Sequence, residues 1–265
     1  MKINIVTIFP DFFRVPLATS IPGRAREKGL VEYRVVDLRD FTHDRHRTVD
    51  DTLYGGGAGM VMKPEPFFEA VESLGEAGGG APGEGGEDGE GAAPEPPPAL
   101  YARPVGPIIL LSPRGRVFRH EDAVRLSLEP EITLLAGHYK DVDQRVAEHL
   151  ATEELSLGDF VLSGGEIPAL AVTDAVVRLL PGAMGDHDSA ATDSFYEEGL
   201  LSAPSYTRPA DFRGLEVPDV LLSGDHRKVE AWRRRESERL TRERRPDLAK
   251  ALQEEDREDP DADRE

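Results

Sequence analysis

The chain has 265 residues, 38% of them hydrophobic, enough to bury one large core or two modest ones. It carries no cysteine, which excludes disulfides, zinc–thiolate sites, iron–sulfur clusters and thiol nucleophiles, and no apolar run approaches the roughly 18 residues of a membrane-spanning helix. A net charge of −19 argues against a polyanion partner only if it is evenly spread, and it is not.

In chain order, residues 3–9 (INIVTIF) alternate as a strand, 12–27 read as a broken helix and 33–38 (YRVVDL) as a second strand. A polar loop runs from 39 to 60, and Pro64 then opens a helix over FFEAVESL. Residues 75–99 hold nine glycines, five prolines, six acids and no base. Such a stretch cannot repay its ordering entropy with buried apolar surface, so it reads as a flexible acidic insertion. Beyond it, 107–111 (PIILL) reads as a buried strand followed by SPRGR, 120–128 as a helix and 132–136 (ITLLA) as another buried strand. Residues 158–162 (GDFVL) read as a further short strand, and Pro168 opens an amphipathic helix, ALAVTDAVVRLL, that Pro181 and Gly182 end.

This alternation predicts an α/β sheet domain over 1–185, with an interdomain linker at 186–205, a small α-helical domain at 206–253 and a solvated acidic tail at 254–265. The insertion and the tail each carry −6, which leaves −7 on the rest, whereas 226–250 hold ten Lys/Arg against five acids. That local +5 predicts a phosphate-contacting helix in an acidic protein. The opening MKINIVTIFP has one lysine and no apolar signal segment, and predicts a soluble cytoplasmic protein with no membrane partner.

The most informative stretch is 137–166, where two glycine-bearing turns are joined by a short charged connection. Glycine is favoured where backbone must approach a ligand, and two strand ends presenting such backbone to one spot is how α/β proteins hold a small polar ligand. There is no G-x-G-x-x-G after a strand and no Walker A sequence, so a dinucleotide site is not supported; GGGAG at 55–59 fits neither pattern and reads as a cover over the pocket.

The segments FTHDRHRTVDDTLYGGGAGM, LSPRGR, GHYKDVDQRV, SLGDFVLSGGEIPAL and DSFYEEGLLSAPSYTRP, in that order, resemble the bacterial tRNA (guanine-N1-)-methyltransferases, the TrmD family of the SPOUT class. The resemblance covers nearly everything except 75–99 and the acidic tail. It implies a SPOUT-type parallel sheet with a deep trefoil knot formed by roughly 108–170, which no periodicity could reveal. It also implies methyl transfer from S-adenosylmethionine to N1 of the guanine at tRNA position 37, next to the anticodon. By the family pattern Asp193 is the base for the N1 proton and Arg178 the electrostatic partner on the guanine side; the plain alternatives are a helix N-cap and a complement to a helix dipole. A homodimer with a shared active site, completed by Asp193 of the other chain, is likewise implied.

For the methyl donor the resemblance points to Leu111, Ser112, Pro113, Gly137, Tyr139, Leu157, Gly158, Asp159, Phe160, Val161, Leu162, Gly164, Gly165 and Pro168. Main-chain groups in tight turns hydrogen-bond adenine well, and Leu111, Leu157, Phe160 and Leu162 offer apolar walls, although ordinary core is the plain reading of a leucine. Arg39, His43, Arg45, His46 and Arg47 form a basic cluster suited to phosphate or base contact. Two histidines at i, i+3 with no third ligand and arginines around them do not suit a metal. Trp232 beside Arg233, Arg234 and Arg235 is either a core anchor among solvated arginines or part of a tRNA-contacting surface.

Departures from the family pattern stand at His138 and Lys140, where many members have arginine and glutamate, at Asp141 in place of glycine, and at Phe160 in place of tyrosine. The glutamate can place Mg²⁺ or the donor's positive charge, so Lys140 leaves a Mg²⁺ requirement open and no metal ligand is assigned. Two other readings remain: a SPOUT methyltransferase acting on a different RNA base, and a non-enzymatic RNA-binding module that retains the fold.

Overall fold

Strands that are apolar along both faces have to be covered on both, and short β-to-α connections place helices where that cover is needed. The computed structural model describes residues 1–76, 104–184, 193–196 and 199–249, which fall into one unit over 1–184 and a second from 185 onward. In chain order the first unit runs β1 (Lys2–Thr7), α1 (Asp11–Arg14), α2 (Ser20–Glu27), β2 (Glu32–Asp37), β3 (Asp50–Thr52), β4 (Met60–Met62), α3 (Pro64–Glu76), β5 (Ile108–Val117), α4 (His120–Ser127), β6 (Glu131–Ala136), β7 (Asp141–Val142), β8 (Glu153–Ser156) and α5 (Glu166–Val177). Five strands form one parallel sheet in the order β2-β1-β6-β5-β8. Ile109 and Leu111 pack on one face with Ile3, Ile5, Ile132 and Leu134 and with residues of α2, α4 and α5. Ile108 and Leu110 pack on the other face with Val6, Leu135 and Phe67 of α3, so the period-2 alternation of one strand feeds two cores.

Several expected elements are displaced. GDFVL is not a strand. The strand is β8, EELS, just before it, and residues 157–163 leave the sheet as an irregular wall. Gly158 at φ +144° breaks the extended run, Phe160 N–H turns back to the Gly158 carbonyl at 2.9 Å, and Phe160 and Val161 are exposed where a buried strand would hide them. PIILL continues through SPRGR as β5, with its pairing to β8 interrupted between Leu111 and Arg116. The helix expected from Pro168 starts two residues earlier at Glu166, which a proline in the first turn permits because that N–H has no intrahelical partner. The polar loop 39–60 conceals β3 and β4, an antiparallel pair completed by β7 into a small second sheet. Helix α3 carries through Glu76, so the first two residues of the expected insertion are helical, while the rest of it, residues 186–192 of the linker and the acidic tail lie outside the described residues.

The second unit contains a two-stranded pair, β9 (Asp211–Phe212) with β10 (Leu215–Glu216), which the reading of a purely helical region missed, then α6 (Asp219–Leu222) and the long helix α7 (His226–Arg244). Asp225 caps α7 by accepting from the Lys228 N–H at 3.3 Å. Near its other end Leu240 and Thr241 are buried, and the Thr241 hydroxyl accepts from the Leu201 N–H at 2.9 Å. One turn carries Asp193, Ser194, Phe195 and Tyr196.

Candidate active site

The floor of the cleft in the first unit is made by two turns that stitch to each other. After β6 the chain turns at Gly137-His138-Tyr139, and before α5 it turns at Ser163-Gly164-Gly165. His138 and Gly164 form an antiparallel bridge, and the Gly165 N–H donates to the Gly137 carbonyl at 2.7 Å. The approach is close enough to dictate glycine. A Cβ on Gly165 would lie 2.7 Å from Ala136 Cα and 3.0 Å from the Gly137 nitrogen, both backbone atoms that cannot move aside. Tyr139 is held at φ +60°, a left-handed conformation uncommon outside glycine, with its ring partly exposed on the cleft wall.

Around these turns lies a single cleft lined by every donor-site residue expected from sequence except Asp159. Leu111, Ser112 and Pro113 come from β5, Leu157, Gly158, Phe160, Val161 and Leu162 from the wall after β8, and Pro168 from the start of α5. The walls are therefore backbone and apolar side chain, a suitable lining for a purine nucleoside. Sequence reasoning left out His138, Lys140, Asp141, Ser156 and Ser163, which also line it. For all but Ser156, which ends β8, position within or next to the two glycine turns was the available signal. Arg114 pairs with Asp141 at 3.1 Å and ties the β5 segment to the first turn.

A charged cluster braces the edge of β8. Asp122 of α4 pairs with Arg116 at 2.6 Å, and Glu153 pairs with Arg116 and with Arg125, each at 2.8 Å. Burial would raise the Asp122 pKa, but the Arg116 hydrogen bond, the Arg119 N–H and the charges of Arg116 and Arg125 outweigh it and hold the carboxyl below its usual range.

The remaining expected residues are dispersed. Arg178 caps the C-terminal end of α5, half-buried, with its guanidinium 3.9 Å from the Met184 sulfur. Asp193 is exposed on a turn of the second unit, its carbonyl 3.4 Å from the Tyr196 N–H. The basic cluster divides. Arg39 turns inward, donating to the Ile8 carbonyl and lying 5.8 Å from the centre of the Phe9 ring. Arg47 pairs with Asp40 and Asp37 and His43 lies 2.9 Å from Glu69, and both stay exposed together with Arg45 and His46. Asp44 shapes this loop: hydrogen bonds from the Thr48 side chain and backbone, at 2.8 Å each, hold its pKa below the ordinary value. On α7, Arg233, Arg234 and Arg235 are exposed, Arg234 reaching Glu238 at 3.2 Å, while half-buried Trp232 lies 6.3 Å from the Tyr206 ring.

Among the described residues no group of three or more His, Cys, Asp or Glu is arranged to hold a metal ion, and no helix is long and apolar enough to cross a membrane. Residues 1–251 match the family model for tRNA (guanine-1)-methyltransferase TrmD. The chain belongs to this family. It is 48% identical over 252 residues to a tRNA (guanine-N(1)-)-methyltransferase of Dehalococcoides mccartyi, covering 95% of this chain and 92% of that one. A protein of the same name from Gloeobacter violaceus is 51% identical over 249 residues, covering 94% and 98%, and one from Bacillus subtilis is 47% identical over 250 residues, covering 94% and 93%.

Proposed function

We propose that this chain is a tRNA methyltransferase that moves a methyl group from S-adenosylmethionine to N1 of the guanine at tRNA position 37. The observation that carries the reading is the family match across residues 1–251, a span that contains both the cleft and the residues assigned to proton transfer. The cleft suits the donor: its two glycine turns bring bare backbone to the ligand, and Leu157, Phe160 and Leu162 supply apolar walls for adenine. When bound, the donor supplies a methyl group already activated on a sulfonium. The chain therefore has to orient the acceptor, take up the guanine N1 proton and offset charge developing on O6. Asp193 accepts that proton and Arg178 faces O6. An ordinary aspartate, at pKa about 3.9, is a weak base for this N–H, and an arginine on O6 makes the N–H more acidic.

Two further parts belong to the reading. The first is the deep knot. Leu155 of β8 pairs with Leu111 and again with Arg116, five residues on along the same strand. That repeated pairing, on either side of the break in register, supports a chain that doubles back across β8. Gly115 crosses so near that a Cβ would lie 2.5 Å from the Leu155 nitrogen. The second is a cytoplasmic homodimer in which Asp193 serves the cleft of the other copy while Arg45, His46 and the arginines of α7 contact the tRNA phosphates.

Transfer of labelled methyl from S-adenosylmethionine to transcripts with and without guanine at position 37 tests the activity. Asp193→Ala and Arg178→Ala are each expected to lose most turnover with donor affinity held within a few-fold, because both groups act on the transition state. Normal rates in either variant would refute the assignment. Mixing Asp193→Ala chains with Gly137→Trp chains, both inactive alone, is expected to restore activity; heterodimers that form and stay inactive would refute the shared site.

A further inference from the structure

Glu166 is the first residue of α5, and its side chain is only 7% exposed. One carboxylate oxygen accepts from the Thr7 hydroxyl at 3.0 Å. The other lies 3.5 Å from His138 Nδ1, a buried nitrogen that makes no hydrogen bond. No lysine or arginine pairs with this carboxylate among the described residues. Gly164 sits between the carboxylate, the imidazole and the cleft, and a Cβ there would come within 2.3 Å of both Glu166 Oε2 and His138 Nδ1. The Phe9 and Tyr139 rings pack edge-on against His138 at 5.0 and 5.4 Å and fix its plane. A buried carboxylate thus lies one backbone layer behind a cleft that His138 and Gly164 line.

We propose that Glu166, acting partly through His138, makes this cleft select for positive charge, favouring the sulfonium of the donor over the neutral thioether left after transfer. The inference rests on the methyl-transfer reading and adds a specificity determinant to it. Behind Gly164 the charge is poorly screened by solvent, so it acts across the short distance into the cleft. A carboxylate facing Nδ1 also favours the tautomer with the proton on that nitrogen. Lys140 and Asp141 are the charged side chains that line the cleft; Arg114 neutralises Asp141 and Lys140 opposes the selection, which leaves Glu166, behind the wall, as its source. The consequence is ready release of product once the methyl group and its charge have gone.

The test is the ratio of dissociation constants for S-adenosylmethionine and S-adenosylhomocysteine, measured by calorimetry on the full chain. In Glu166→Gln, which keeps the side-chain size and removes the charge, the ratio is expected to move about three- to tenfold toward the thioether, while Glu166→Asp stays near wild type. An unchanged ratio in folded Glu166→Gln would overturn the proposal. Should that variant not fold, wild type alone decides. A donor analogue bearing an ammonium group in place of the methylsulfonium is expected to bind more tightly than the thioether, and equal or weaker binding would overturn the selectivity. Wild type that binds none of these ligands would overturn the donor-cleft reading itself, and the selectivity with it.

Discussion

The floor of the cleft and helix α7 are built from opposite materials. The floor consists of backbone: Gly165 lies against the backbone of Ala136 and Gly137 and donates to the Gly137 carbonyl, Gly164 bridges His138, and the Glu166 carboxylate is buried behind them. Helix α7 consists of long cationic side chains on an exposed surface, several of them paired with neighbours one turn away, such as Arg239 with Glu236 and Glu243. Shape made from backbone tolerates almost no change at any one position. Charge spread over a surface tolerates the loss of any one member, and it responds to salt where the floor does not.

The contrast can be broken most severely at Gly165. Gly165→Val is expected to cost about 4 kcal/mol or more, because its branches would have to occupy the backbone of Ala136 and Gly137, and to abolish donor binding; denaturant melts with calorimetry check both. A variant that folds normally and binds the donor would mean that the two turns are separable. Next comes the brace beside β8. Asp122→Asn is expected to cost about 2 kcal/mol at neutral pH. Because the folded pKa of Asp122 is depressed, its contribution is complete above about pH 3.9, the unfolded value, and is lost as pH falls through the lower folded pKa. Wild type and variant should therefore converge in acid, and a gap that persists there would show that charge is not the source.

Smaller again is Thr7→Val, which removes one hydrogen bond to Glu166 at nearly constant volume, for an expected loss of about 1 kcal/mol in a thermal melt. The smallest effect on stability is expected on α7. Changing Arg233 and Arg235 together to Gln should leave stability within about 0.5 kcal/mol. If each contacts one phosphate, the same change should lower the slope of log tRNA affinity against log salt by roughly 1.5. A slope that does not move would remove these two arginines from the tRNA contact.

Much of the molecule is legible in the amino-acid sequence. Runs such as PIILL and ITLLA, apolar on both faces and separated by a helix-length segment, announce a buried parallel sheet, since β5 and β6 can satisfy such runs only when both faces are covered. The motif order carries the family and the positions that line the cleft, because glycine spacing and apolar walls are local properties. GDFVL misleads because an apolar run has the same composition whether it faces a core or a ligand, and only the path of the chain after Ser156 separates the two. The β3–β4 pair is invisible for the opposite reason: a three-residue strand such as Asp50–Thr52 is polar and is stabilised by its partner, not by its own composition. Glu166 passes unnoticed as one acid at a helix start among 51 acids in the chain. Its burial against Thr7, 159 positions away, and its approach to His138 over the bare backbone of Gly164 exist only once β1, β6 and α5 are packed together. The sequence by itself determined the buried strands β1, β2, β5 and β6, the helices that cover them and the glycine turns. Tertiary structure alone decided which turns meet and which charge is shut away from water, because those depend on contacts between residues that no local pattern connects.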